Sequence, residues 1–167
     1  MGEHVKKFLI VAVAAVIAIL SAWFSLRPAY LAEKERVASE AADNEAARLE
    51  MGRQLYQQSC AACHGANLEG AENWQTQLAD GTLPPPPHDE TGHTWHHGDQ
   101  LLFDYTKLGG AAMLARMGVE MKSGMPAFEG KLTDEEIWAI LDYIKSTWPQ
   151  RIRDLQAERT AFENENQ

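Results

Sequence analysis

The chain has 167 residues, 45% hydrophobic and 23% charged, with a formal net charge of −9. That length allows one domain with appendages, and the acidic balance argues against nucleic acid as a partner, which needs a basic face. Only two cysteines are present, Cys60 and Cys63, and a pair so close in sequence cannot be the framework of a disulfide-stapled fold.

Residues 8–26 form an uncharged run of 19. As a helix the run spans roughly 28 Å, close to the ~30 Å hydrocarbon core of a bilayer. Lys6 and Lys7 precede it, which favours a cytoplasmic N-terminus. Arg27 and Pro28 follow it, with Trp23 and Phe24 where interfacial aromatics belong. A cleaved signal peptide is the competing reading. Cleavage after Ala29 or Ala32 would place Arg27 or Tyr30 where a small residue is required. The expectation is an uncleaved single-pass anchor over residues 1–28, in a bacterial inner membrane. Either reading exports the remainder, here to the periplasm.

Residues 29–50 are rich in Ala and Glu, strong helix formers with little apolar periodicity. They predict a charged helical stalk of about 22 residues, roughly 33 Å long if fully helical; a frayed tether is the alternative. Residues 51–150 contain 6 Lys/Arg against 13 Asp/Glu, a balance of −7. Their apolar content gives a small core, which a buried cofactor would help to complete. Residues 52–59 continue as helix into the cysteines. Residues 67–92 are loop-like and include Pro84-Pro85-Pro86-Pro87, an extended stretch that excludes helix. Residues 99–108 predict a short helix with Asp99 as N-cap, ended by Gly109-Gly110. Residues 111–122 predict a further turn or two.

Thr133 with Glu136 forms a capping box, and Ile137, Ile140, Leu141 and Ile144 follow at helical spacing. Pro149 ends or bends that helix. Residues 151–167 are a charged C-terminal tail, expected to form a frayed helix with no core of its own. Nothing alternates as a β-strand, and the chain is expected to be all-α.

Cys60-Ala61-Ala62-Cys63-His64 carries the chemistry. Two thiols three positions apart on a helical turn reach the two vinyl groups of one haem, and the following histidine meets the iron. The spacing therefore reads as covalent haem c attachment. A zinc half-site would need a second ligand pair, and the chain holds no other cysteine, although histidines are available. A redox dithiol would need a βαβ context. The second axial ligand should be a distant sulfur or imidazole. Met125 stands in Ser123-Gly124-Met125-Pro126-Ala127-Phe128, between a glycine that permits close approach and a proline that fixes an extended shape.

These segments together resemble the class I cytochromes c, the small monohaem family. Gly52-x-x-Leu55-Tyr56-x-x-x-Cys60 resembles that family's N-terminal helix entering CxxCH. Gly124-Met125-Pro126-Ala127-Phe128 resembles its axial-methionine loop, and Leu132-Thr133-Asp134-Glu135-Glu136-Ile137 with Tyr143-Ile144 its C-terminal helix. The resemblance covers residues 51–148. It implies the cytochrome c fold wrapped round one haem, after a membrane helix and stalk. It implies thioethers from Cys60 and Cys63, and axial iron ligation by His64 and Met125. It also implies Gly52 and Tyr56 crossing the last helix near Ile140 and Tyr143. One of Pro84 to Pro87 should accept from His64, with four candidates open.

The chain departs from the family between the haem motif and the methionine loop, where His88, His93, His96 and His97 surround Trp95. An exposed loop over the haem edge is the first expectation, with Trp95, His96 or His97 donating to a propionate. A second metal site for copper or zinc is the sharper one. Met113, Met117, Met121 and Met125 recur at every fourth position. Such a stripe is ordinarily core packing, but it makes Met121 a rival to Met125.

An iron with both axial positions filled transfers electrons and carries out no substrate chemistry. The expected function is therefore a non-enzymatic, tethered carrier of single electrons. It would work between a quinol:cytochrome c reductase and a terminal oxidase or other periplasmic redox protein. The alternatives are a permanent cytochrome c subunit of a membrane oxidoreductase complex, and a haem or copper sensor or metal-handling protein.

Overall fold

A computed structural model of the chain describes residues 2–166; Met1 and Gln167, the outermost residues of the expected anchor and tail, lie outside the described residues. Two compact units are present, Met1–Glu45 and Ala46–Gln167. Helix α1 runs over Glu3–Ser59 and α2 over Ala61–His64. After a long loop come a single 3₁₀ turn at Thr94–His96, then α3 (Asp99–Leu108), α4 (Gly110–Arg116), α5 (Asp134–Ser146) and α6 (Gln150–Glu165). The chain is all-α: among the described residues, β pairing is confined to isolated bridges such as Thr82 with Lys122.

In the first unit, α1 contains an 18-residue window of mean hydropathy 2.6. In this apolar stretch Leu9, Ile10, Val13, Val16, Ile17, Leu20 and Trp23 are exposed, and Phe8 is exposed to 80%. Apolar surface of that extent is unfavourable in water and favourable in hydrocarbon. Among the described residues, one helix is thus long and apolar enough to cross a membrane. Beyond it, Arg36 bridges Glu33 and Glu40 at helical spacing, which supports a solvated helix where little packs against it.

The second unit begins slightly upstream of residue 51 because the last stalk turns are already attached to it. Leu49 is partly buried and Arg48 pairs with Asp142 on α5. The end of α1 crosses α5 at Gly52. A Cβ there would stand 2.0 Å from the Ala139 carbonyl oxygen and 3.0 Å from Tyr143 Cβ, so only glycine lets the backbones approach this closely. Tyr56, one turn on, is fully buried and tilts against Tyr143 with ring centroids 5.6 Å apart.

Helix α5 follows its sequence signals. The Thr133–Glu136 capping box forms in both directions, and Ile137, Ile140, Leu141 and Ile144 are all buried. The core has two parts. Tyr56, Leu68, Ile140, Ile144, Trp148 and Ile152 form one cluster, and Phe103, Ile137 and Leu141 the other.

The C-terminal segment departs from expectation. Residues expected to fray form α6, which buries Ile152 and Gln156 and packs on the 3₁₀ turn and on α3. The α3 start departs as well. Gly98, not Asp99, is the N-cap residue, and its side-chain cap comes from α6. Gln100 and Leu101 donate their backbone N–H groups to Glu163 at 3.2 and 3.1 Å, and Asp99 N–H donates to Thr160 Oγ1 at 3.1 Å. A carboxylate at a helix N-terminus satisfies orphan donors and complements the helix dipole. Asp99 is thereby free to pair with Lys145 of α5 at 3.0 Å.

Candidate functional site

Helix α1 ends at Ser59, and a new turn, α2, presents Cys63 and His64. Cys60 is the N-cap of that turn, and His64 N–H donates to its carbonyl at 2.9 Å. Both thiols are free. Cys60 is half-buried against the first core cluster and Cys63 is exposed. Burial, with the nearby Cys63, pushes the Cys60 thiol up to about 11. A redox-active dithiol requires the opposite, a depressed pKa and a standing thiolate. Cys60 therefore lacks the standing thiolate that disulfide exchange uses.

His64 is buried, and its Nδ1 lies 2.8 Å from the Pro86 carbonyl oxygen. A carbonyl only accepts, so Nδ1 carries the proton and Nε2 keeps its lone pair. Burial lowers the His64 pKa, and the Pro86 bond opposes it by a smaller amount, so the net direction favours the neutral ring. Of the four prolines in series, Pro86 is the acceptor. His88 stacks on His64, its ring centroid 4.1 Å away at 25°, and burial followed by the fields of His64 and His93 pushes its pKa down to about 3. Trp148 Nε1 donates to the His88 carbonyl at 2.7 Å, so the link between α5 and α6 holds this loop. Tyr56 Oη donates to the Gly65 carbonyl at 3.0 Å and pins the turn after the histidine.

Met125 is half-buried in a loop laid over the α3–α4 junction. Gly110 N–H donates to the Met125 carbonyl at 3.1 Å, and Met125 N–H donates to Ser123 Oγ at 3.2 Å. Gly109 has φ 81°, and a Cβ there would stand 2.7 Å from Ala127 N, so glycine is needed for both the turn and the approach of the loop. The methionine stripe does not persist as a helical face. Helix α4 ends at Arg116, Met113 is buried, and Met117 and Met121 are 51% and 43% exposed.

The histidine loop has its own arrangement. Trp95 stacks on His96 at 3.7 Å between centroids and donates Nε1–H to the Glu90 carbonyl at 3.3 Å. Its indole donor is thus engaged within the loop. His96 is exposed, and His97 is half-buried with its carbonyl accepting from Gln156 of α6 at 3.2 Å. Burial lowers the pKa of both His93 and His97. Sequence reasoning found these residues but missed Gln156, Thr160 and Glu163, which lie about sixty residues away and carry no local signal. Among the described residues, no three His, Cys, Asp or Glu side chains converge as a metal cluster.

The donor set fits an iron porphyrin: two free thiols on one turn, a neutral imidazole with a free Nε2, and a thioether held on a braced loop. A family model described as cytochrome c matches residues 49–148. The cbb3-type cytochrome c oxidase subunit CcoP of Azospirillum brasilense is 33% identical over 100 residues, covering 60% of this chain. The match covers only 28% of that protein's length. No solved structure matches the chain.

Proposed function

Because the chain belongs to the cytochrome c family, with covalent haem c as its cofactor, we propose that it is a monohaem carrier of single electrons tethered to a bacterial inner membrane. The observation that carries the reading is the His64 Nδ1–Pro86 bond of 2.8 Å. It leaves Nε2 as the one metal-binding nitrogen, directly after two free thiols. Bound haem supplies a one-electron iron couple. Cys60 and Cys63 would hold it through thioethers. His64 would offer Nε2 to the iron, with the ring's tautomer and orientation fixed by Pro86, as outer-shell partners of ligating histidines do. Met125, on a loop braced by Ser123 and Gly110, would supply the second protein ligand. An iron ligated in this way would leave no position for substrate, and its chemistry would be electron transfer. A thioether with an imidazole favours a higher potential than two imidazoles.

The exposed apolar face of α1 supports a single-pass anchor over residues 1–28, with residues 29–50 as stalk and the haem domain in the periplasm. A tether of this kind raises the effective concentration of the haem domain at its partners. Those partners are a quinol-oxidising reductase on one side and a terminal oxidase or other periplasmic redox protein on the other.

The likeness to an oxidase subunit favours a second reading, in which the chain is a fixed subunit of a membrane oxidoreductase. Mild detergent extraction followed by affinity purification separates the two. A carrier comes away without stoichiometric companions while native membranes still reduce it with quinol and reoxidise it with oxygen. A fixed companion in constant ratio to haem would replace the carrier with the subunit. Failure of either reaction in native membranes would remove the respiratory assignment.

A further inference from the structure

His93 and His97 face each other with Nε2 atoms 3.0 Å apart, their ring centroids 4.8 Å apart and inclined at 65°. The backbone between them is the 3₁₀ turn, closed by His96 N–H to the His93 carbonyl and His97 N–H to the Thr94 carbonyl. Both ends are braced. Trp74 lies parallel to the His93 ring at 6.0 Å, and Gln156 holds the His97 carbonyl.

Two arrangements account for facing ring nitrogens at this distance. In the first, one Nε2–H donates to the other, which fixes opposite tautomers in two adjacent rings. In the second, both nitrogens turn lone pairs toward one ion. With metal–nitrogen bonds of about 2.0–2.1 Å, a 3.0 Å separation subtends roughly 95° at the metal. That is the angle of neighbouring positions in a square-planar or tetragonal ion, and it is narrower than a tetrahedral site requires. His96 does not join them: its ring is stacked on Trp95, and its centroid is 6.1 Å from that of His93.

We propose that His93 and His97 form, through their Nε2 atoms, a two-imidazole site for one divalent transition-metal ion of tetragonal preference, Cu²⁺ above all. Water or a small oxygen ligand completes the coordination. With two protein ligands the ion exchanges, unlike a structural zinc enclosed by four. Neither of its imidazoles belongs to the CxxCH turn or is among the proposed iron ligands.

The test uses the full-length, haem-loaded chain in detergent, dialysed separately against Cu²⁺, Ni²⁺ and Zn²⁺. The site predicts one Cu²⁺ per chain, bound more tightly than either Ni²⁺ or Zn²⁺. The electron paramagnetic resonance spectrum of the bound copper should show coupling to two nitrogens. The haem visible spectrum should not change on loading. His93→Ala and His97→Ala should each weaken binding by about tenfold or more, an effect at least as large as losing an outer-shell partner. His4→Ala, on the far N-terminal segment, should bind as the parent does. The parent protein alone can overturn the proposal, whatever the fate of the variants. Absence of bound Cu²⁺, or a spectrum without nitrogen coupling, would do so. Binding that survives both histidine substitutions would also do so.

Discussion

At His64 the two ring nitrogens are set apart: Nδ1 is committed to Pro86 at 2.8 Å, and Nε2 keeps its lone pair, which the proposed function assigns to the iron. The cysteines and this histidine were legible because they are contiguous, and the chemistry needs no knowledge of the fold. Pro86 was not legible. Four prolines in series offer four equivalent carbonyls, and the path of the loop selects one. The stacking of His88 on His64 depends on the same path. Met121 rivals Met125 in the four-residue stripe, but the Gly-Met-Pro-Ala-Phe setting favours Met125 in sequence, and Met125 is also the half-buried methionine on a braced loop while Met121 is exposed. Met125→Ala should therefore abolish the weak ferric sulfur-to-iron band in the red and let the ferrous protein bind CO, while Met121→Ala should leave both properties unchanged. Visible spectra with and without CO decide it, and the reverse pattern would move the axial assignment to Met121.

The elements divide according to whether their signals are local. The capping box and apolar stripe of α5 lie within one helix, so the sequence located it. The crossing of α1 with α5 was expected from Gly52 and Tyr56, and the backbone contact at Ala139 gives its cause. Gly52→Ala removes a helix-interior glycine, worth about 1 kcal/mol of propensity. It also places a methyl group 2.0 Å from a backbone oxygen that cannot step aside. Overpacking of this kind costs about 1–3 kcal/mol, so the variant should be net destabilised in thermal or denaturant unfolding; greater stability would contradict the crossing.

Helix α6 was misread because its composition is charged and its contacts are with residues far away in sequence. The Glu163 carboxylate serves α3 from sixty residues downstream. Glu163→Ala should cost about 0.5–2 kcal/mol, the value of a lost helix cap. Glu165→Ala, two positions further on, should leave the unfolding midpoint nearly unchanged.

For the whole molecule, the all-α class, the apolar first helix and the haem motif were all readable from residue order and spacing. The size of the folded unit was not, since Arg48 at one end and α6 at the other join it through contacts with α5 and α3. If residues 29–50 act as a tether, reach matters more than sequence. An Ala/Glu/Lys helix of equal length in place of residues 33–45 should preserve oxidase-linked turnover at equal haem content. Deleting about ten stalk residues removes roughly 15 Å of helix and should impair turnover, because effective concentration falls to nothing when a linker cannot span its sites. Loss of turnover in the equal-length replacement would favour a packed subunit.

The claim that joins these scales is one haem, closed on both faces by protein, exchanging one electron. Potentiometric titration of the full-length chain in membranes, with and without CO, tests it most directly. The account predicts a single one-electron wave that CO does not shift. A second wave in the haem absorbance of the copper-free chain, or a midpoint that CO raises in the unmodified protein, would show a second haem or an open iron and would contradict it.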